Sequence, residues 1–386
     1  MSPAGAETLP HRRILGIVIA LILYGSLYPW QFQMRHYGHS PLWVLLHTWP
    51  TTINRYLLWD VLVNVTLYIP LGIFGFLAIS SRAPRFLRIL APLALALVLC
   101  ASIEMFQLFD DSRNCSLSDV VSNVTGAAIG MAAGSLYRAG LQRILTGERA
   151  ASLLRPTGAL LLLACWLGYQ IFPLFPVWGR TNILRRVAAL GPIAATSWAG
   201  TLLVFAEWLA VALLLESIRK GKINGLLALL LLLVPGRLIL VSRTLTWADI
   251  VGAAAAFIAW LCLPRFWIRR AAPLLLTCAL ILYELSPFHF ASHPVGRFDW
   301  VPFRNFVLND WQVSFVILFR KSFWYGSLLW LWRASGRGLT WAAALAAACL
   351  FAFERLQVYL PGRTPEITDA VLVLLMGLLL WLLRDA

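Results

Sequence analysis

Two polar pairs in the first third of the chain are spaced as neighbours on a helix face. Glu104 and Gln107 are three residues apart, and Asp119 and Asn123 are four apart, so each pair shares one face of its helix. Arg113 lies in the connection between them. These five groups can converge at one boundary of an apolar layer. A carboxylate inside such a layer is costly and ordinarily faces the bundle interior with a partner. A guanidinium fork matches a carboxylate or a phosphate bidentately, which makes Arg113 the expected partner of Asp119 or Glu104. Two kinds of chemistry are open to this set: proton transfer through a desolvated glutamate, or capture of a phosphate-bearing group. Glu104, Gln107, Arg113 and Asp119 are therefore the candidate catalytic group. Asn123, and Asn64 within an apolar run, are candidate binding residues.

Plainer readings stand beside these. Ser116-x2-Asp119 and Thr246-x2-Asp249 each fit a capping box, and an acidic first turn suits the helix dipole. Asp119 is thus either a cap or a site member. Glu104 is either a site member or half of a buried ion pair, and Asn64 either bonds between helices or lines the site. Gly126-x3-Gly130-x3-Gly134 reads as close helix packing, and Pro70 as a helix kink. His36, His39 and His47 share one loop without a carboxylate or Cys, so they read as an interfacial loop and not a metal site. The six Cys show no CxxC spacing, which indicates neither a metal centre nor a disulfide scaffold. No P-loop, dinucleotide fingerprint, nucleophile elbow or HExxH is present, so no cofactor is expected.

The elements that must position these residues follow from composition. Of 386 residues, 60% are hydrophobic and 13% charged, against about 25% charged in soluble domains. The mean hydropathy is +0.77. A soluble enzyme, a disordered chain and a fibrous repeat are excluded. Runs such as Leu226–Val234 do not alternate, which excludes an outer-membrane barrel. The expected fold is all-α: a polytopic transmembrane bundle of about 12 helices. The spans are expected at 14–30, 58–80, 86–108, 119–137, 156–177, 199–217, 224–241, 247–264, 271–287, 313–332, 339–358 and 366–383. The net charge of +15 reads as topology-setting Arg meeting anionic lipid, not as nucleic-acid binding. Around the first four helices, Arg12, Arg13, Arg82, Arg85, Arg88, Arg138, Arg143, Arg149 and Arg155 fall on one side. Only Arg35, Arg55 and Arg113 fall on the other. Both termini are therefore expected in the cytoplasm, with the site on the outer face. His11-Arg12-Arg13 followed by the run to Trp30 reads as a retained first helix.

Arg-x5-Asp recurs three times at the entry to an apolar run, as Arg113…Asp119, Arg243…Asp249 and Arg363…Asp369. Each copy follows a first helix that ends near Pro29, Pro173 or Pro287. This predicts three parallel four-helix units, at 1–150, 151–268 and 269–386. The third copy keeps Glu354 and Gln357, so Glu354, Gln357, Arg363 and Asp369 are candidate binding residues of a second site. The middle copy has Val234 and Arg237 at the Glu and Gln positions. Lys321 precedes Tyr325 by four, as Asn64 precedes Tyr68. It is expected in the Asn64 slot, paired with Glu354, unless it snorkels to the interface. Asp60, Glu207 and Glu284 are further ionisable residues within apolar runs.

The first copy carries Asn64-Val-Thr-Leu-Tyr68-Ile-Pro70-Leu71-Gly72. Glu104-x2-Gln107, Arg113, Ser118-Asp119, Asn123 and Gly126-x3-Gly130 follow in order. This set resembles the VanZ-like family, closely over 14–140 and in degraded form over 275–384. The resemblance implies a bacterial envelope protein of the inner membrane. The family's namesake is associated with low-level resistance to the glycopeptide teicoplanin. The resemblance supplies no reaction, so whether the chain is an enzyme stays open. The expected activity is engagement of a lipid headgroup or a lipid-linked envelope precursor through the Glu/Gln/Arg/Asp site. One alternative is a proton-coupled transporter or lipid flippase. Another is a non-catalytic scaffold for envelope-complex partner proteins.

Overall fold

A computed structural model describes residues 3–28, 30, 32–33, 38–50, 55–110, 115–145, 157–172, 179–193, 196–219, 223–239, 244–308 and 311–383. Arg113, Arg243 and His36 lie outside the described residues. Long apolar runs in lipid must satisfy their backbone groups internally, which leaves the helix as the available element. Helices lie at each of the expected spans. They are α1 (Pro3–Leu27), α3 (Arg55–Leu77), α4 (Arg85–Gln107), α5 (Leu117–Leu145), α6 (Thr157–Ile171), α8 (Trp198–Ile218), α9 (Asn224–Leu231) with α10 (Leu233–Gly236), α11 (Trp247–Cys262), α12 (Arg265–Leu285), α14 (Trp311–Ala334), α15 (Leu339–Gln357) and α16 (Thr368–Leu382). Short helices α2 (Pro41–Leu46), α7 (Arg180–Ala188) and α13 (Arg304–Leu308) occupy connections. Within the loop that holds α2, the Trp43 ring stacks between His39 and His47. Six helices among the described residues are long and apolar enough to cross a membrane: α3, α4, α5, α8, α12 and α15. Their outer faces carry exposed apolar side chains, such as Leu90, Val98 and Leu136, while Glu104, Glu207 and Glu284 are buried. That inversion of the usual soluble pattern is what a lipid surround selects.

The chain divides into two compact units, Met1–Ala151 and Ser152–Arg384. In the first, α3 packs on α5, α4 on α5, α1 on α3, α3 on α4 and α1 on α4. The α3–α5 contact is backbone-close. A Cβ on Gly126 would strike the Val65 carbonyl, one on Gly130 the Ile69 carbonyl, and one on Gly72 the Ala127 carbonyl. Small residues four apart thus form the seam, as expected of Gly126-x3-Gly130. Ile22, Tyr68, Leu71, Ala96, Cys100 and Ala127 fill the core. Arg138 closes one end: its Nη2 donates to the carbonyls of Phe76, Leu77 and Ile79 at 3.1, 3.1 and 2.9 Å. A cation there satisfies the orphan carbonyls where α3 ends.

In the second unit, α12, α14, α15 and α16 pair in the same pattern as α1, α3, α4 and α5. Helix α6 packs on both α8 and α14, and α12 packs on both α14 and α8. The core is built mainly of Leu and Ala around fully enclosed Trp166, Trp260, Phe323, Trp324 and Tyr325. The capping box expected at Thr246 forms: Thr246 accepts from the Asp249 N–H, and the Asp249 carboxylate accepts from the Thr246 N–H.

Gly130→Ala is expected to destabilise the first unit by about 1–3 kcal/mol through overpacking. Gly16→Ala in α1, whose Cβ would meet open space, is expected to leave the unfolding temperature unchanged or raise it slightly through helix propensity. Thermal unfolding in detergent, followed by circular dichroism, checks both.

Candidate functional site

In the first unit the site forms where α4 ends and α5 begins. Glu104, buried in the last turn of α4, accepts the Ser116 N–H at 2.8 Å, twelve residues on. Its carboxylate thereby caps the entry of α5. Gln107 donates from Nε2 to the Ser26 carbonyl at 2.7 Å, which ties the end of α4 to the last turn of α1. The Gln33 N–H meets the Phe109 carbonyl at 2.7 Å and holds the two flanking loops together. The capping box expected at Ser116 is replaced. The Asp119 N–H bonds the Ser116 carbonyl at 3.2 Å, and Glu104 takes the N–H that an Asp119 cap would have taken. The Asp119 carboxylate instead receives the Ser118 hydroxyl at 3.4 Å and lies against Asn64, with Asp60 nearby. The Asn123 Oδ1 and the Tyr68 hydroxyl are buried and have no hydrogen-bond partner among the described residues. Burial, reinforced by Glu104, pushes the thiol of the connecting Cys115 up to about 12, so it stays protonated at neutral pH.

The second unit holds a similar set. Glu354 accepts the Glu366 N–H at 2.9 Å, again twelve residues on. Gln357 donates to the Glu284 carbonyl at 3.1 Å and to its carboxylate at 3.0 Å. The Ala291 N–H meets the Tyr359 carbonyl at 2.8 Å. Trp30 and Phe288, each one residue past a proline, both have positive φ, 61° and 64°. The structure also changes the expected pairings. Lys321 bonds Asp369 at 2.5 Å, not Glu354, and Tyr325 donates to the other Asp369 oxygen at 2.6 Å. Arg363 does not reach Asp369. It donates to the carbonyls of Tyr283 and Ser286 at 2.7 and 2.8 Å and lies 4.0 Å from Glu284. Asn305 holds the Glu366 carboxylate at 3.0 Å. A cavity of about 230 Å³ opens among Glu284, Arg320, Lys321, Glu354, Arg363 and Glu366.

The middle segment has its own polar cluster. Arg237 pairs with Asp249, and its Nη2 donates to Gln170 Oε1 at 2.7 Å. The Trp324 indole donates to Glu207. Glu207, Arg237, Asp249 and Trp324 border a cavity of about 470 Å³. Arg237 had the look of a lost glutamine. It bridges Asp249 to the last turns of α6. A sequence signal for its partner existed: Gln170, Ser26 and Glu284 each stand three residues before a proline.

A chain of long apolar helices with charged groups buried among them is a helical membrane protein. Residues 14–138 match the sequence model of the VanZ/LLP1 family, so the first unit carries a VanZ-like domain. Neither the curated proteins nor the solved structures give a match.

Glu104→Ala leaves the Ser116 N–H without its acceptor, and is expected to cost about 1–3 kcal/mol. Glu104→Gln keeps an acceptor oxygen and is expected to lose less than half of that. Unfolding temperatures of the two variants, compared in one detergent, test the capping role.

Proposed function

We propose that this protein engages a phosphate-bearing lipid headgroup, or a lipid-linked envelope precursor, at polar sites near the helix ends in a bacterial inner membrane. The observation that carries this reading is the cavity lined by Arg320, Lys321 and Arg363 together with three glutamates. Guanidinium and ammonium groups offer charge-assisted bonds to phosphate. The carboxylates beside them suit the donors of the same headgroup. Glu104, Gln107, Arg113 and Asp119, with Asn64 and Asn123, make the site of the first unit. Glu354, Gln357, Arg363 and Asp369 make that of the last segment. The matched contacts of Glu104 and Glu354, and of Gln107 and Gln357, support a repeated four-helix unit as the scaffold. The charge asymmetry of the first four helices favours cytoplasmic termini, with the site on the outer face. Glu104 serves this reading by positioning α5, so binding is the proposed activity. A glycopeptide-resistance-like role is the phenotype that the VanZ-like resemblance offers for such binding.

Native mass spectrometry of co-purifying lipids, at matched folded yield, tests the reading. One phosphate-bearing lipid class is expected on the wild type and is expected to be depleted in Arg113→Ala and Arg363→Ala. If all three proteins carry the same nonspecific lipids, a scaffold role replaces this one.

A further inference from the structure

The contrast between the two units points to a ligand group. In the second unit an ammonium nitrogen already sits on the first-turn aspartate: Lys321 Nζ lies 2.5 Å from one Asp369 oxygen, and the Tyr325 hydroxyl donates to the other at 2.6 Å. In the first unit, α3 carries Asn64 and Tyr68 at the same spacing, and α5 opens on Asp119. The surroundings correspond, since Glu104 and Glu354 each accept the backbone N–H twelve residues on, at or just before the start of the next helix. Gln107 and Gln357 each reach a carbonyl in the last turn of the leading helix.

The charge does not correspond. Asn64 is neutral, and Asp119 has no ion-pair partner among the described residues. The Tyr68 hydroxyl, bonded in its Tyr325 counterpart, has no partner among the described residues, and the residue is 1% exposed. Asn123, one turn below Asp119, is 5% exposed with its Oδ1 likewise unpartnered. Asp60, one turn before Asn64 on α3, adds a negative charge near Asp119. The first unit thus has a half-buried carboxylate and, one turn further along α3 and α5, two buried oxygens without a bond among the described residues, where the second has a tethered cation.

We propose that Asn64, Tyr68, Asp119 and Asn123 bind the primary ammonium of an aminophospholipid headgroup, the position Lys321 fills in the second unit. This rests on the lipid-headgroup reading and names the headgroup class. A primary ammonium has three N–H donors for these oxygens. A quaternary ammonium has none. The lipid is favoured over a soluble amine because the site belongs to helices with lipid-exposed faces.

The test is native mass spectrometry of the full chain with phosphatidylethanolamine, phosphatidylglycerol, phosphatidylcholine and diacylglycerol of identical acyl chains, and with free ethanolamine. The proteins are wild type, Asn64→Lys and Asp119→Asn, each checked for thermal unfolding. The wild type is expected to prefer phosphatidylethanolamine over both other phospholipids about tenfold. Asn64→Lys is expected to fold, to set its own ammonium on Asp119 and to erase the preference. Asp119→Asn is expected to erase it without a tethered charge, so the test survives if the lysine variant fails to fold. Equal retention of all three phospholipids by the wild type, or a preference that persists in either folded variant, overturns the ammonium site and leaves the phosphate reading standing. Retention of none of the three above diacylglycerol overturns both readings. Binding of free ethanolamine without any lipid preference overturns the lipid as its source.

Discussion

A glutamate at the end of one helix accepts the N–H at the start of the next, and most of the polar architecture hangs on that bond. Helix entries carry orphan N–H groups, and in an apolar surround each must find an acceptor. Glu104 does this for α5 and Glu354 for the entry to α16. A local cap would tie up the first-turn aspartate, as happens at Thr246 and Asp249. With the glutamate in that role, Asp119 and Asp369 keep their carboxylates for side chains arriving from α3 and α14. The middle segment lacks the glutamate, and there the aspartate does cap its own helix while also holding Arg237.

The helix seam explains why the two units differ. Gly72, Gly126 and Gly130 let the α3 and α5 backbones touch. The third segment has Met376 and Leu380 where the first has Gly126 and Gly130, and these larger side chains are enclosed differently. A Cβ on Gly326 of α14 would meet Leu162 of α6 and Met376, and one on Gly158 of α6 would meet Leu380. Helix α6 therefore fits into room that a glycine seam would have closed.

Much of the fold was legible because its signal is local. Apolar runs long enough to span lipid located the helices, and three- or four-residue spacings assigned Glu104 with Gln107 and Asp119 with Asn123 to shared faces. Partners were less legible, because spacing along a helix fixes a face and not what meets it. Lys321 was expected to pair with Glu354 but bonds Asp369, since the first turn of α16 lies nearer to its nitrogen. Glu104 read as a site acid, yet its immediate bond is to a backbone N–H, a contact with no side-chain signature. Arg237 read as decay because a lone change cannot show that Gln170 changed with it. The short helices α2, α7 and α13 lack the long apolar run that marks a span.

The crossed pairing of α6 with α14 and α12 with α8 also bears on biosynthesis. The first unit can close its α3–α5 seam while most of the chain is still unmade. Helix α6 must wait for residues 311–334 before its second neighbour exists. At ~5–20 residues per second of translation, that wait is roughly ten to thirty seconds. During it, Gln170 and Glu207 are in the bilayer without Arg237 and then without Trp324. The second unit thus depends, while being made, on lipid, water or an insertase to shelter polar groups that the finished structure satisfies for itself.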